Sequence, residues 1–204
     1  MASKVDFKKT LKQLYNPSLR QIHRVDVPEM NFLMVDGEGN PNTSPEYQRA
    51  IEALYTKSYG IKFALKSHGQ DYVVPPLEGL WWMENMRDFS LVNKDQWKWT
   101  MMIMQPDWVT AELVNETRIN AMKKKSNPSL SLIRFEKYLE GLCVQTLYRG
   151  AYADEAPKIA EIHEYIRANG FFLNGKHHEI YLGDPRKTSP EKLITILRQP
   201  VRRE

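Results

Sequence analysis

Apolar positions along this chain alternate between the period of a strand and that of a helix. Asn31-Phe32-Leu33-Met34-Val35 is an apolar run that ends in Asp36-Gly37-Glu38-Gly39, a strand entering a glycine turn. From Ser44-Pro45-Glu46 the spacing lengthens. Ser44 suits an N-cap, Pro45 the first helical position, and Ile51, Leu54, Tyr55, Tyr59 and Phe63 recur as the apolar stripe of a long helix. Tyr72-Val73-Val74, the segment from Leu77 to Met83 and that from Trp97 to Met104 read as strands. Val109 to Lys125 reads as a charged amphipathic helix, with Pro128 beyond it. Before all of these, Phe7, Leu11 and Leu14 mark a short helix from Asp6 to Tyr15, stopped near Asn16-Pro17.

The pattern then recurs. Gly141 to Tyr148 reads as a strand ending at Arg149-Gly150-Ala151-Tyr152. Asp154 to Asn169 is a helix with Ile159, Ile162 and Ile166 inward and Gly170 as its C′ residue. Phe171-Phe172-Leu173 and His177 to Leu182 follow as strands, and Ser189-Pro190-Glu191 opens a predicted final helix over about 189–199. Strand, glycine turn, helix, strand, strand thus appears twice, with Gln105-Pro106 answering Asp184-Pro185 after the last strand of each unit. The expected fold is α+β: tandem duplicated β-α-β-β modules with antiparallel sheets, helices on one face and a concave seam on the other. The expected organisation is one domain, with a first half over about 26–106, a connecting helix over about 107–126 and a second half over about 140–185. A seam between pseudo-symmetric halves suits a small molecule.

Bulk properties narrow the classes. No stretch approaches the length of a membrane-spanning helix, and Met1 to Phe7 lacks the apolar core of a secretory signal. The one cysteine, Cys143, lies in an apolar run and fits a small buried hydrophobe in a reducing cytoplasm. Net charge is +4, but the basic residues are scattered. The tight runs are Lys123-Lys124-Lys125, read as a solvated helix end, and Arg202-Arg203, and neither has interleaved aromatics, so direct nucleic-acid binding is not expected.

Chemistry concentrates on the strand His177-His178-Glu179-Ile180-Tyr181. Alternation gives Ile180 and Leu182 one face, and His177, Glu179 and Tyr181 the other. A mid-strand carboxylate between an imidazole and a phenol is unusual. The adjacent histidines point apart and cannot chelate one ion, and no phosphate loop or dinucleotide fingerprint is present, so neither metal nor cofactor is expected. Aromatic residues crowd the strands: Trp81 and Trp82 face opposite sides of theirs, Trp97 and Trp99 share a face, and Tyr148 and Tyr152 flank the second turn. One of the paired tryptophans must look into the seam or solvent, which suggests a flat, apolar or cationic ligand.

Leu77-Glu78-Gly79-Leu80-Trp81-Trp82, the run from Trp97-Lys98-Trp99-Thr100 to Gln105-Pro106, and His178 to Pro185 resemble the GyrI-like small-molecule-binding superfamily over about Asp26 to Val201. The resemblance implies two β-α-β-β modules around a ligand cleft that holds Glu179. The Trp-Trp motif is similar to that of the subfamily hydrolysing cyclopropanoid DNA-alkylating compounds through an aromatic cage. Gly150-Ala151-Tyr152 departs from the family's Gly-Pro-Tyr. The candidate catalytic residues are Glu179 and Tyr181, and the candidate substrate-binding residues are Trp81, Trp82, Trp99, Tyr152 and His177. Water addition to a strained cyclopropane is one expected function. A non-catalytic receptor for amphipathic cations, with Glu179 as counter-charge, is the other. A protein partner such as a topoisomerase follows only from the family name.

Overall fold

A computed structural model describes residues 4–19, 21–84, 94–124 and 127–203. Two short helices, α1 (Phe7–Thr10) and α2 (Lys12–Tyr15), precede β1 (His23–Val27) and β2 (Met30–Glu38). The long helix α3 (Pro45–Ser67) begins as its sequence demands, with the Ser44 hydroxyl accepting from the Tyr47 N–H. Then come β3 (Leu77–Trp82), β4 (Lys98–Gln105), α4 (Ala111–Lys124), β5 (Arg134–Tyr138) and β6 (Gly141–Arg149). The chain ends with α5 (Ala156–Ala168), the two-residue β7 (Phe172–Leu173), β8 (His177–Tyr181) and β9 (Ile194–Arg202). The side chains of Lys123 to Lys125 lie outside the described residues.

The main sheet is antiparallel in the order β1-β6-β9-β8-β3-β4-β2-β5, with β7 on β9. This order is a palindrome of two units: β2-α3-β3-β4 and β6-α5-β8-β9 each place the last strand in the middle, and β8 meets β3 at the joint. The duplicated β-α-β-β architecture expected from the sequence is therefore present. The strands leading into each unit are exchanged: β1 precedes β2 but pairs with β6, while β5 precedes β6 but pairs with β2. Two residues, Pro28 and Glu29, join β1 at one end of the sheet to β2 near the other, and Leu139 and Glu140 do the same for β5 and β6. Two residues span only about 10 Å, so the sheet curls until its ends approach.

Inside the curl lies an apolar cluster drawn from β1, β2, β3, β4, β6, β8 and β9, including Phe32, Met34, Leu80, Met102, Ile180 and Ile196, with Leu14 and Tyr15 of α2 packed on it. The outer face carries the long helices. α3 covers the first unit over Leu33, Met101 and Ile103, and α5 covers the second over Val144 and Leu197.

Two expectations are corrected. The predicted final helix is strand β9. Ser189-Pro190-Glu191 opens only a single 3-10 turn, Pro190–Lys192, after which Ile194-Thr195-Ile196-Leu197 is β-branched-rich and buried on both faces, the environment of a central strand. The counterpart of β4 in the second unit is thus β9, and Asp184-Pro185 falls in the β8–β9 connection rather than after a final strand. Tyr72-Val73-Val74 makes only an isolated bridge, Tyr72 to Val5.

Candidate functional site

α5 lies over β6 and β9, and α3 lies over β4 and β2, so the joint between β8 and β3 is a seam between the two helices. Register fixes what faces it. On β8 and β3, Glu179 lies opposite Gly79, His177 opposite Trp81 and Tyr181 opposite Leu77; on β4, Trp99 lies opposite Trp81. Alternation puts Glu179, His177, Tyr181, Trp81 and Trp99 on this one face. Two glycines make room for the rings. A Cβ at Gly79 would stand 2.9 Å from Trp81 Nε1 and 3.2 Å from the Tyr181 hydroxyl, and one at Gly37 would stand 2.2 Å from the Trp99 ring.

Glu179 is 7% exposed. Its Oε2 accepts a hydrogen bond from the Tyr181 hydroxyl at 2.7 Å, and its Oε1 lies 3.4 Å from His177 Nε2. Trp81 Nε1 donates to the Tyr181 oxygen at 3.0 Å. Burial and the charge of Glu179 hold the Tyr181 hydroxyl well above the usual phenol range, so it stays protonated. Its proton is directed at Glu179, which makes Tyr181 the residue that aims the carboxylate. Tyr47 of α3 forms the roof, its ring 5.9 Å from Trp81 and 5.3 Å from Trp99, and its hydroxyl bonds to Tyr181. Trp97 packs edge-on to Trp81 at 5.3 Å. Tyr152, in a 3-10 turn spanning Tyr152–Asp154, stands edge-on to Tyr181 at 5.4 Å.

Glu155, in the turn leading into α5, is a second buried carboxyl group. Its Oε1 has no hydrogen-bond partner among the described residues. Burial first, and then the negative charge of Glu179, push its pKa up to about 9, against smaller opposing effects of Thr195 and Lys94. At neutral pH Glu155 therefore keeps its proton.

The structure brings together six of the seven residues expected from the sequence. The exception is Trp82, which points to the inner face of the curl, packs on the cluster there and carries the Lys176 ammonium 3.3 Å over its ring. The cause is simple alternation, since Trp81 took the seam side. Tyr47 and Glu155 were not anticipated. Tyr47 belongs to the same four-residue series as Ile51 and Tyr55, a signal that was readable. Glu155 had none, because an acidic residue at a helix start ordinarily faces solvent. Among the described residues no group of three His, Cys, Asp or Glu side chains is placed to hold a metal ion, and no helix is long and apolar enough to cross a membrane.

A family model for the GyrI-like small molecule binding domain matches residues 20–202. The chain belongs to this family. Solved structures agree with the GyrI-like assignment over nearly the whole chain. An uncharacterized conserved protein from Listeria innocua is 44% identical with a TM-score of 0.91, covering 98% of this chain and 100% of its own. A protein described as a hydrolase from Listeria innocua is 42% identical with a TM-score of 0.88 over the same shares. The EcmrR C-terminal domain, 12% identical with a TM-score of 0.56 over 90% of this chain and 98% of its own, shares the fold. Comparison with curated proteins finds no match.

Proposed function

We propose that this GyrI-like protein binds flat aromatic xenobiotics in the seam and hydrolyses cyclopropanoid alkylating compounds in a cytoplasmic setting. The observation that carries the reading is the pair of buried carboxyl groups, Glu155 and Glu179, one raised to about 9 in pKa, among aromatic rings. A cyclopropane conjugated to a dienone opens when water attacks its ring carbon. The water oxygen–carbon bond forms, a cyclopropane bond breaks, and its electron pair moves through the dienone to the carbonyl oxygen, leaving a phenol. Glu155 bears the proton that this oxygen needs, as a general acid with its pKa close to the working range. Glu179, aimed by Tyr181, takes the proton released by the water. Proton transfer between the two restores the starting state, so the net reaction is addition of one water. Trp81, Trp99, Tyr47 and Tyr152 supply the stacking surfaces, Tyr152 from a single 3-10 turn outside the regular elements. Likeness to a hydrolase from Listeria innocua at 42% identity supports the reading.

The test is incubation with a cyclopropanoid alkylator in 18O-labelled water, with mass spectrometry of the product. A ring-opened product carrying one labelled oxygen is expected, with turnover falling more than tenfold in Glu179→Gln and in Glu155→Gln. Undiminished turnover in both variants overturns the mechanism. A second reading, a non-catalytic receptor for amphipathic cations, draws on the ring-enclosed charge of Glu179. Tight binding of a flat organic cation without any labelled product from the neutral compound would favour it.

A further inference from the structure

Lys57 of α3 is completely buried, although lysine is almost never fully buried unless an acid pairs with it. Its ammonium donates to the Val114 carbonyl and, at 2.9 Å, to the Thr117 hydroxyl, both in α4. An ammonium has three N–H donors, so among the described residues one is left over. No carboxylate among the described residues pairs with it. The neighbouring charge is instead that of Arg118 in α4, a like charge. Burial first, and then Arg118, bring the Lys57 pKa down to about 7. A buried cation without a counter-charge is costly, and here part of that cost is relieved by loss of the proton.

The two cations line one cavity of about 230 Å³. Lys57, Arg118 and Asn115 give it polar groups, and Val114, Ile133 and Phe135 give it apolar walls. Among the described residues its lining holds no acid. Phe135 lies on β5, the edge strand three places from β3, so the cavity is on the far side of α3 from the seam.

We propose that this cavity is an anion site, separate from the seam, for a small monocarboxylate with a compact apolar body. The carboxylate supplies the counter-charge that Lys57 and Arg118 lack and accepts the remaining Lys57 N–H. Asn115 offers further donors, and the body lies against Ile133 and Phe135. A bare inorganic anion would leave those walls uncovered. A bound carboxylate favours the charged lysine, so binding draws a proton onto Lys57 and weakens as pH rises through its titration. The groups facing Lys57 leave it as the one that titrates here: Arg118 stays charged, and Asn115, Val114, Thr117, Ile133 and Phe135 carry no charge. Neither Glu155 nor Glu179 takes part, so the inference stands apart from the proposed function.

Benzoate is the probe, titrated calorimetrically into the native protein at pH 6 and pH 8.5. Benzamide serves as its neutral isostere and inorganic phosphate as an anion without a body. Benzoate is expected to bind at least tenfold more tightly than either, and at least tenfold more tightly at pH 6 than at pH 8.5. Lys57→Met and Arg118→Gln are each expected to weaken it at least tenfold, Arg118→Lys to retain most of the affinity, and Glu179→Gln to leave it unchanged. Lys57 lies in the core, so NMR of lysine labelled with 13C at Cε in the native protein gives a reading that does not depend on Lys57→Met folding. Benzoate should move the Lys57 titration upward from about 7. Equal binding of benzamide, a preference for phosphate, an affinity independent of pH, or undiminished binding in Arg118→Gln overturns the site. A Lys57 titration unmoved by benzoate does the same, as does a loss of binding in Glu179→Gln, which would put the probe in the seam.

Discussion

Glu155 shows how the burial of one carboxyl group is recorded in stability. Its folded-state pKa of about 9 exceeds the ordinary glutamate value, so the folded protein binds the proton more tightly than the unfolded chain. Below about pH 4.5 both states are protonated and the site costs nothing for this reason. As pH rises from there towards 9 the unfolded chain gains by ionising and the folded protein does not, so stability falls across that window. Glu155→Gln keeps the shape and removes the titration. It is expected to leave stability nearly unchanged at pH 4 and to raise it at pH 9, on the order of 2–4 kcal/mol, while abolishing turnover. Urea unfolding at the two pH values measures this, and a variant no more stable than the native protein at pH 9 would show that Glu155 is not held neutral. Of the two acids, Glu179 was legible in the sequence because a carboxylate in mid-strand breaks the local preference. Glu155 became visible only when the turn before α5 was seen folded down against β9. Lys57 was hidden for a related reason: helical periodicity assigned Tyr59 and Phe63 to the core stripe, but the buried side of α3 is rotated and holds Lys57, which donates to the Val114 carbonyl and, at 2.9 Å, to the Thr117 hydroxyl.

At the level of elements, the seam depends on how closely β3 and β8 can present their side chains. Gly79 sits directly opposite Glu179, and the space above it is taken by Trp81 Nε1 and the Tyr181 hydroxyl. Gly79→Ala places a methyl group 2.9 and 3.2 Å from these atoms, closer than packed carbon contacts, so the Trp81–Tyr181–Glu179 chain must shift. The expected outcome is a folded protein whose turnover drops at least tenfold, about 1.4 kcal/mol in transition-state stabilisation, with a smaller loss of thermal stability. An alanine variant with native kinetics would show that the aim of Glu179 does not depend on Tyr181. The duplicated strand-helix-strand-strand order was legible because each unit carries its own turn and cap chemistry. The identity of the last strand was not: Ser189-Pro190-Glu191 is a genuine helix-start signal, and only burial on both faces turns Ile194-Thr195-Ile196-Leu197 into β9. The exchanged strands β1 and β5 are not legible in the sequence because their short segments, HRVDV and RFEKY, carry no uninterrupted apolar run.

Across the whole molecule, the two units and the N-terminal segment are joined inside the curl by a chain of buried polar groups. The Tyr15 hydroxyl of α2 donates to Glu78 Oε1 of β3 at 2.8 Å, and Glu78 Oε2 lies 3.0 Å from His178 Nε2 of β8. His178 Nδ1 meets Glu140 Oε1, in the β5–β6 connection, at 2.8 Å, and Glu140 Oε2 accepts from Arg198 of β9 at 3.1 Å. Arg198 also donates to the Leu14 carbonyl at 2.8 Å and to Gln145 of β6 at 3.0 Å. Every link crosses from one element to another, so these groups fix the two halves and the α2 plug in a single arrangement, with Glu179 on the opposite face of the same strand as His178. Burial alone would raise the pKa of Glu140, but His178 and Arg198 outweigh it and hold it at about 2, while the two carboxylates hold the His178 imidazole above its usual range against the effect of burial. A carboxylate lowered on folding contributes stability above the unfolded value of about 4.5 and loses it as pH falls towards 2. Glu140→Gln leaves Arg198 and His178 without their shared partner, which typically costs about 3–5 kcal/mol for a broken buried pair. The expected result is a large deficit at pH 7 that shrinks as pH drops below 4.5, the native and variant stabilities converging near pH 2. Guanidinium unfolding followed across that range measures the difference. A deficit that stays constant between pH 7 and pH 2 would mean that Glu140 contributes shape alone, and that the halves are held together by the apolar interior of the curl rather than by its ions.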